Sequence, residues 1–179
     1  MTLTEIFHGE FMVGDPGPGG GTVIYAAPVI APWGRYIEMA PDGWFGSMRD
    51  PREVWDRPRS AGADARLSDC SRIPNAESVA IGAGMVNSVF IVKSGVAGAA
   101  LMARDYQGGG LTDWYLPARN ELMEMYKSRA RVSGVSQDYY WSSSQNSANL
   151  AWSVQMGNGV GNFNLKHLAF AVRPVRSFA

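Results

Sequence analysis

The stretch Gly14-Asp15-Pro16-Gly17-Pro18-Gly19-Gly20-Gly21 limits what this chain can fold into more than any other feature. Glycine visits backbone conformations closed to other residues, and proline lacks the N–H that a helix interior or a central strand needs. The stretch is therefore a dense turn. It leads into Thr22-Val23-Ile24-Tyr25, a β-branched run that reads as a strand. A phosphate-binding loop would need the opposite order, strand before glycines, and a closing Gly-Lys-Ser/Thr; neither is present. The rest of the chain repeats the theme, with 21 glycines and 10 prolines beside 6 tryptophans and 7 tyrosines. Such a chain suits a loop-rich fold pinned by large aromatic side chains, not a helical bundle.

Arg35 to Ala40 alternates and reads as a second strand, ended by Pro41-Asp42-Gly43. Gly43 to Ile73 shows little periodicity and reads as a long irregular loop, a kind that often carries function. Met85, Val89 and Val92 predict a helix over 84–94, and Ala97, Ala100, Leu101 and Ala103 another over 96–106, with Gly95 as the cap between them. A third helix should start near Pro117. Its expected buried face is Leu122, Met123 and Tyr126, with Glu121 and Glu124 as solvated charges on the other flank. From Tyr139 strands return, at 139–142, 151–156 and 169–173, with Gly157-Asn158-Gly159 as a turn after the middle one. Two strands, then helices, then antiparallel strands make an α+β domain and not a parallel sheet. We read residues 1–12 as an N-terminal arm and 13–179 as one domain.

Apolar residues make up 46% of the 179 residues, enough to bury a core without disulfide or metal staples. Sixteen basic residues balance sixteen acidic ones, so the net charge carries no footprint for nucleic acid and no basic run suggests a membrane surface. No apolar run is long enough to span a bilayer, and Met1–Glu10 lacks the apolar core of a signal peptide. The expectation is a chain made in a cytoplasm that acts on a virion or cell surface. Cys70, the single cysteine, excludes an internal disulfide or a thiolate zinc cluster and reads as a buried structural thiol.

Catalytic constellations are not evident. His8 and His167 stand far apart without companion ligands, so no metal site is expected. Ser142-Ser143-Ser144 has no partner base and no Gly-x-Ser-x-Gly context, and reads as structural. Glu121 and Glu124, three apart, are a carboxylate pair only in outline. Asp113 is expected to pair with a buried arginine such as Arg173. No catalytic residue, metal or cofactor is expected, and the chain reads as a binder and not an enzyme.

Six strings then stand in order: Val13 to Gly21, Tyr36 to Pro41, Ile81 to Gly84, Gly108 to Pro117 with Glu121-Leu122, Tyr140 to Ser144, and Val172 to Phe178. Together they resemble the C-terminal domain of a bacterial collagen-like adhesin and its relatives, a family similar to the formylglycine-generating-enzyme branch of the C-type lectin fold. The resemblance runs from about Val13 to Phe178. It implies short antiparallel strands, two or three helices and long irregular loops, and it suggests trimers. The oxidase lineage of this branch depends on two reactive cysteines, and only Cys70 is present. The Glu-Pro-Asn, Gln-Pro-Asn and Trp-Asn-Asp strings of calcium-dependent sugar binders are absent.

One subset of this fold, the variable proteins of diversity-generating retroelements, carries a randomised C-terminal segment whose template is rich in asparagine codons. Residues 145–171 hold five asparagines among residue types reachable from such codons by changes at adenine. The resemblance makes 141–178 the candidate variable region. Its contact face would be Asn146, Asn149, Ser153, Gln155, Val160, Asn162, Phe163, Asn164, Leu165, His167, Leu168 and Phe170, held by a frame of Trp114, Trp141, Trp152, Arg173 and Arg176. Aromatic and adaptable polar side chains suit a recognition surface. The implied partner is a protein or glycan on a target cell surface, with the chain self-associated or attached to a larger particle. The alternatives are a fixed adhesin domain for a sulfated polysaccharide, a structural particle protein, and an oxidase of the formylglycine type. The polysaccharide binder would need a basic surface cluster, for which the late segment offers Lys166, Arg173 and Arg176.

Overall fold

The computed structural model describes residues 10–57 and 70–179. The glycine-rich turn feeds β1 (Thr22–Ala31), which hairpins into β2 (Gly34–Met39), and a short β3 (Arg52–Val54) follows inside the long loop. Three helices come next: α1 (Gly84–Lys93), α2 (Ala99–Arg104) and α3 (Arg119–Ser128). The chain ends in β4 (Tyr139–Gln145), β5 (Leu150–Gln155), β6 (Gly161–Leu165), β7 (Ala169–Ala171) and β8 (Val175–Phe178). β6 and β8 are strands beyond those read from the sequence, and β3 interrupts a stretch read as wholly irregular. β6 is short and polar and β8 is four residues long, so neither carries a period-two signal of its own.

Two sheets result. The smaller has the order β1-β2-β8 and the larger β3-β7-β4-β5-β6. Pairing is antiparallel except where Tyr140 of β4 meets Ala171 of β7. The last residues stitch the sheets together, because β7 lies in the larger and β8, just past Pro174, lies in the smaller.

β4 divides the core. Side chains on a strand alternate between its faces, and adjacent Tyr140 and Trp141 join different clusters. Trp141 packs with Trp55, Ile91, Ala99, Ala100 and Val172. Tyr140 packs with Ile24, Ile37, Leu122, Met125 and Val175. Ala99, Ala100 and Ala103 of α2 are almost fully buried, small side chains that let this helix approach closely.

The buried stripe of α3 is Glu121, Leu122, Met125 and Ser128, while Met123 and Tyr126 are half-buried. This corrects the expected face and the expected solvation of Glu121. The Glu121 side chain folds back on its own helix start: Oε2 accepts from the Ala118 N–H at 2.7 Å and Oε1 from the Gly82 N–H at 2.8 Å. A glutamate at this helix position satisfies a donor that the helix leaves orphaned. Glu124 pairs with Lys127 at 2.6 Å, but its side chain is only 17% exposed, so it is less solvated than expected.

The glycine run closes over a buried ion pair. The Gly19 N–H donates to the Glu38 carboxylate at 2.8 Å, and Arg176 Nη1 meets the same carboxylate at 2.6 Å. A Cβ on Gly19 would fall 2.7 Å from the Trp114 ring, closer than real contacts allow. The partner of Asp113 is Arg176, held in a two-bond fork at 2.8 Å for each bond, and not Arg173. Asp113 lies beside β8's arginine because the Tyr115 N–H pairs with the Val175 carbonyl at 2.8 Å.

Candidate ligand-binding surface

The frame residues are held from several directions. Arg173 is 1% exposed, lies 2.7 Å from Asp50 and 3.3 Å from Asp42, and donates to the carbonyls of Ala40 and Gly134. Asp50 also accepts from the Trp44 indole at 2.8 Å and the Tyr140 hydroxyl at 2.6 Å. Burial and that neighbouring carboxylate push the Tyr140 phenol well above its ordinary value. The buried Trp141 indole donates to the carbonyls of Glu53 at 3.0 Å and Leu168 at 3.2 Å, and the Trp114 indole to that of Gly108 at 3.0 Å.

The serine run is structural. Ser142 Oγ donates to the Trp152 carbonyl, Ser143 Oγ accepts from Asn87, and Ser144 Oγ donates to the Ser78 carbonyl while accepting from the Arg119 N–H at the start of α3. All three serines are fully buried.

Most of the candidate contact residues lie on the β5–β6 hairpin and the turn after it, with Asn146 and Asn149 in the turn before β5 and Phe170 in β7. Trp152 faces Phe163 and Ser153 faces Asn162 across the hairpin, and β6 is an edge strand of the larger sheet. The Trp152 and Phe163 rings lie 4.0 Å apart at 52°, and the Arg119 guanidinium stands over Trp152 at 5.1 Å. Asn146, Val160, Asn162, Phe163 and Leu168 are exposed, with Phe163 at 45%. Asn149, Gln155, Asn164, Leu165, His167 and Phe170 are half-buried. Phe170 leans inward, 4.6 Å from Trp141 and 5.2 Å from Tyr139.

Three residues depart from their expected roles. Ser153 is fully buried, and its Oγ accepts from the Asn164 amide at 2.8 Å, so it supports the face from beneath and offers nothing to a ligand. Trp152, expected in the frame, is half-buried and joins the face as Phe163's ring partner. Lys166, singled out only as a basic candidate, is fully buried. Its Nζ donates to the Ser71 carbonyl at 3.1 Å and to Gln145 Oε1 at 3.0 Å, 4.2 Å from the centre of the Trp55 ring. Burial draws its pKa down to about 8. The sequence gives no hint of this, because the partners lie 21 and 95 residues away. Arg119, also missed, reaches the face from α3.

Lys166, Arg173 and Arg176 are all buried, so the late segment presents no basic surface cluster from those three. Among the described residues no three His, Cys, Asp or Glu side chains are grouped to hold a metal ion, and no helix is long and apolar enough to cross a membrane. His8 lies outside the described residues. A recess of about 430 Å³ lined by Pro32, Trp33, Gly82, Met85, Val86 and Ser177 includes none of the candidate contact residues.

No curated protein matches the chain. A solved structure of a fimbrial protein from Bacteroides ovatus ATCC 8483 is similar in fold, at 13% identity and a TM-score of 0.55. The match covers 91% of this chain and 45% of that one, so the chain spans under half of that protein's length. The likeness is one of architecture and agrees with a C-type-lectin-like α+β domain. Residues 54–176, most of the chain, match the Lcl C-terminal domain family. This is the family that the six sequence strings resemble, and the chain belongs to it.

Proposed function

We propose that this chain is an adhesin-type recognition domain whose C-terminal face is diversified, in the manner of a retroelement variable protein. It binds and does not catalyse. The observation that carries this reading is the split within residues 146–170. Exposed Asn162 and Phe163 stand beside Ser153 and Lys166, which are fully buried and hydrogen-bonded. A replaceable surface needs a backbone that its own side chains do not hold, and here the fixed residues below the surface hold it. The rings of Trp152 and Phe163 with the surrounding amides suit a protein or glycan surface on a target cell. The chain would act on a virion or cell surface, by self-association or on a larger particle.

Sequencing the DNA beside the gene tests the diversification. A near-copy of the segment encoding 141–178, differing only at template adenines and next to a reverse transcriptase, is the expected result. Its absence overturns that part and leaves a fixed adhesin domain. A fixed binder of sulfated polysaccharide is disfavoured within this segment by the burial of Lys166, Arg173 and Arg176.

A further inference from the structure

Beneath the candidate face, Gln145 at the end of β4 is 1% exposed and its carboxamide is fully engaged. Its Oε1 accepts from the Ile73 N–H at 3.1 Å and from Lys166 Nζ at 3.0 Å. Its Nε2 donates to the Ile73 carbonyl and to Glu77 Oε1, the latter at 3.3 Å. One carboxamide thus has an amine at its oxygen, a backbone N–H at the same oxygen, and a carboxylate at its nitrogen. These are the parts of an amide-transfer site: a nucleophile, a donor for the oxyanion and a proton carrier for the leaving nitrogen.

We propose that Lys166 and Gln145 form an intramolecular isopeptide bond. The Lys166 nitrogen attacks Cδ of Gln145, and a C–N bond forms as negative charge moves to Oε1, where the Ile73 N–H receives it. Glu77 takes a proton from the attacking nitrogen and delivers it to Nε2. The Cδ–Nε2 bond then breaks, and ammonia leaves. One primary amide and one amine become one secondary amide and one ammonia, with no oxidant, cofactor or other reactant.

Three features favour the reaction. The amine already lies against the carboxamide it attacks, 3.0 Å from Oε1, and has to swing from the oxygen to the face of the carbonyl carbon. Held reactants convert a bimolecular step to an effectively unimolecular one. Burial lowers the Lys166 pKa to about 8, against the pull of Asp56, Cys70 and Glu77 and with the help of Arg72. At neutral pH about one amine in ten is then neutral and nucleophilic. The Trp55 ring over Nζ and the burial of both side chains keep water from competing for the amide. The product ties the end of β4 to the residue just after β6, and so closes the base of the hairpin that bears Trp152 and Phe163. The inference stands on this packing alone and is independent of whether the face is diversified.

Mass spectrometry of the purified full chain, held for days at a pH above the Lys166 value, tests it. The expected intact mass is below the sequence mass by one ammonia, and a digest yields a branched peptide joining the segments that carry Gln145 and Lys166. Lys166→Met and Glu77→Gln should both keep the full mass. A wild-type chain of full sequence mass overturns the proposal whatever the variants do. So does an ammonia loss that maps elsewhere, or one that persists in Glu77→Gln.

Discussion

Arg176 Nη1 lies 2.6 Å from Glu38 Oε1 across 138 residues of sequence, and neither side chain is more than 8% exposed. The remaining guanidinium nitrogens fork onto Asp113, which is 44% exposed. The glycine-rich turn supplies two further N–H donors to Glu38, from Gly19 and Gly21. The two carboxylates should respond differently to loss of the arginine's support. Arg176→Met leaves a buried carboxylate without its cation and should cost about 3–5 kcal/mol in denaturant unfolding. Asp113→Asn removes a partly solvated partner and should cost under about 1 kcal/mol. Equal losses in the two variants would refute the assignment of Glu38 as the buried partner.

Gly19 should resist even the smallest substitution. Gly19→Ala sets a methyl 2.7 Å from the Trp114 ring and 2.6 Å from Glu38 Oε1. The expected cost is about 1–3 kcal/mol, as for other overpacked sites. Gly20→Ala is a control from the same turn, since its Cβ would meet no neighbour within 4 Å but would sit at φ +81°. Its cost should be the smaller one of backbone strain alone. Thermal melting of the two variants checks the order.

Glu121 makes stability depend on pH. Burial raises its pKa from the ordinary 4.5 to about 7, although the N–H groups of Ala118 and Gly82 and the Tyr115 hydroxyl pull in the other direction. The folded state therefore binds a proton that the unfolded state has released between these values. Its contribution is fully present below pH 4.5 and lost as pH rises through about 7, at most ~3 kcal/mol across the window. Asp113 acts oppositely and lower. Its hydrogen bond to Arg176 leads the effects that depress its pKa, so its stabilisation is lost only as pH falls below the ordinary carboxylate range. Denaturant unfolding at several pH values should show stability falling from pH 4.5 to 7, with a flatter profile for Glu121→Gln. A wild-type profile that rises over that window would contradict the burial argument.

Substitution tolerance across the β5–β6 hairpin should follow exposure. Phe163→Ala removes a ring that is 45% exposed and should leave the melting temperature nearly unchanged while altering ligand binding. Ser153→Leu adds bulk at a fully buried position whose hydroxyl serves Asn164, and should cost about 1–3 kcal/mol or more. A display library over 146–170, sorted for folded chains, should therefore stay diverse at 162 and 163 and collapse at 153 and 166.

Local pattern made the helices, the β1–β2 hairpin and the central strands legible in the sequence. Met85, Val89 and Val92 marked α1, and Pro117 marked the start of α3. The α+β class followed from their order. The misplaced residues share one cause. Glu121, Ser153 and Lys166 are polar, and composition assigns polar groups to solvent. Each is buried because a partner supplied by another segment satisfies it: Gly82 for Glu121, Asn164 for Ser153, Ser71 and Gln145 for Lys166. Asp113's need for an arginine was legible, but which arginine depends on the bridge between Tyr115 and Val175. On the face, Phe163 rests on the half-buried Trp152 and stays exposed, whereas Phe170 lies against Tyr139 and the fully buried Trp141 and turns inward.

The placement of β8 beside β2 bears on the order in which this chain acquires its structure. The hairpin of β1 and β2 is local and can form early, but Ile37 meets Ser177 and Met39 meets Val175 only across more than three-quarters of the sequence. Such long-range pairing is slow, since the chain entropy of closure is lost before any contact repays it. Glu38 can take the Gly19 and Gly21 N–H groups of the nearby turn early, but gains its cation only when Arg176 arrives. During synthesis the smaller sheet therefore stays incomplete until Phe178 has left the ribosome, and only then can β8 close along the free edge of β2.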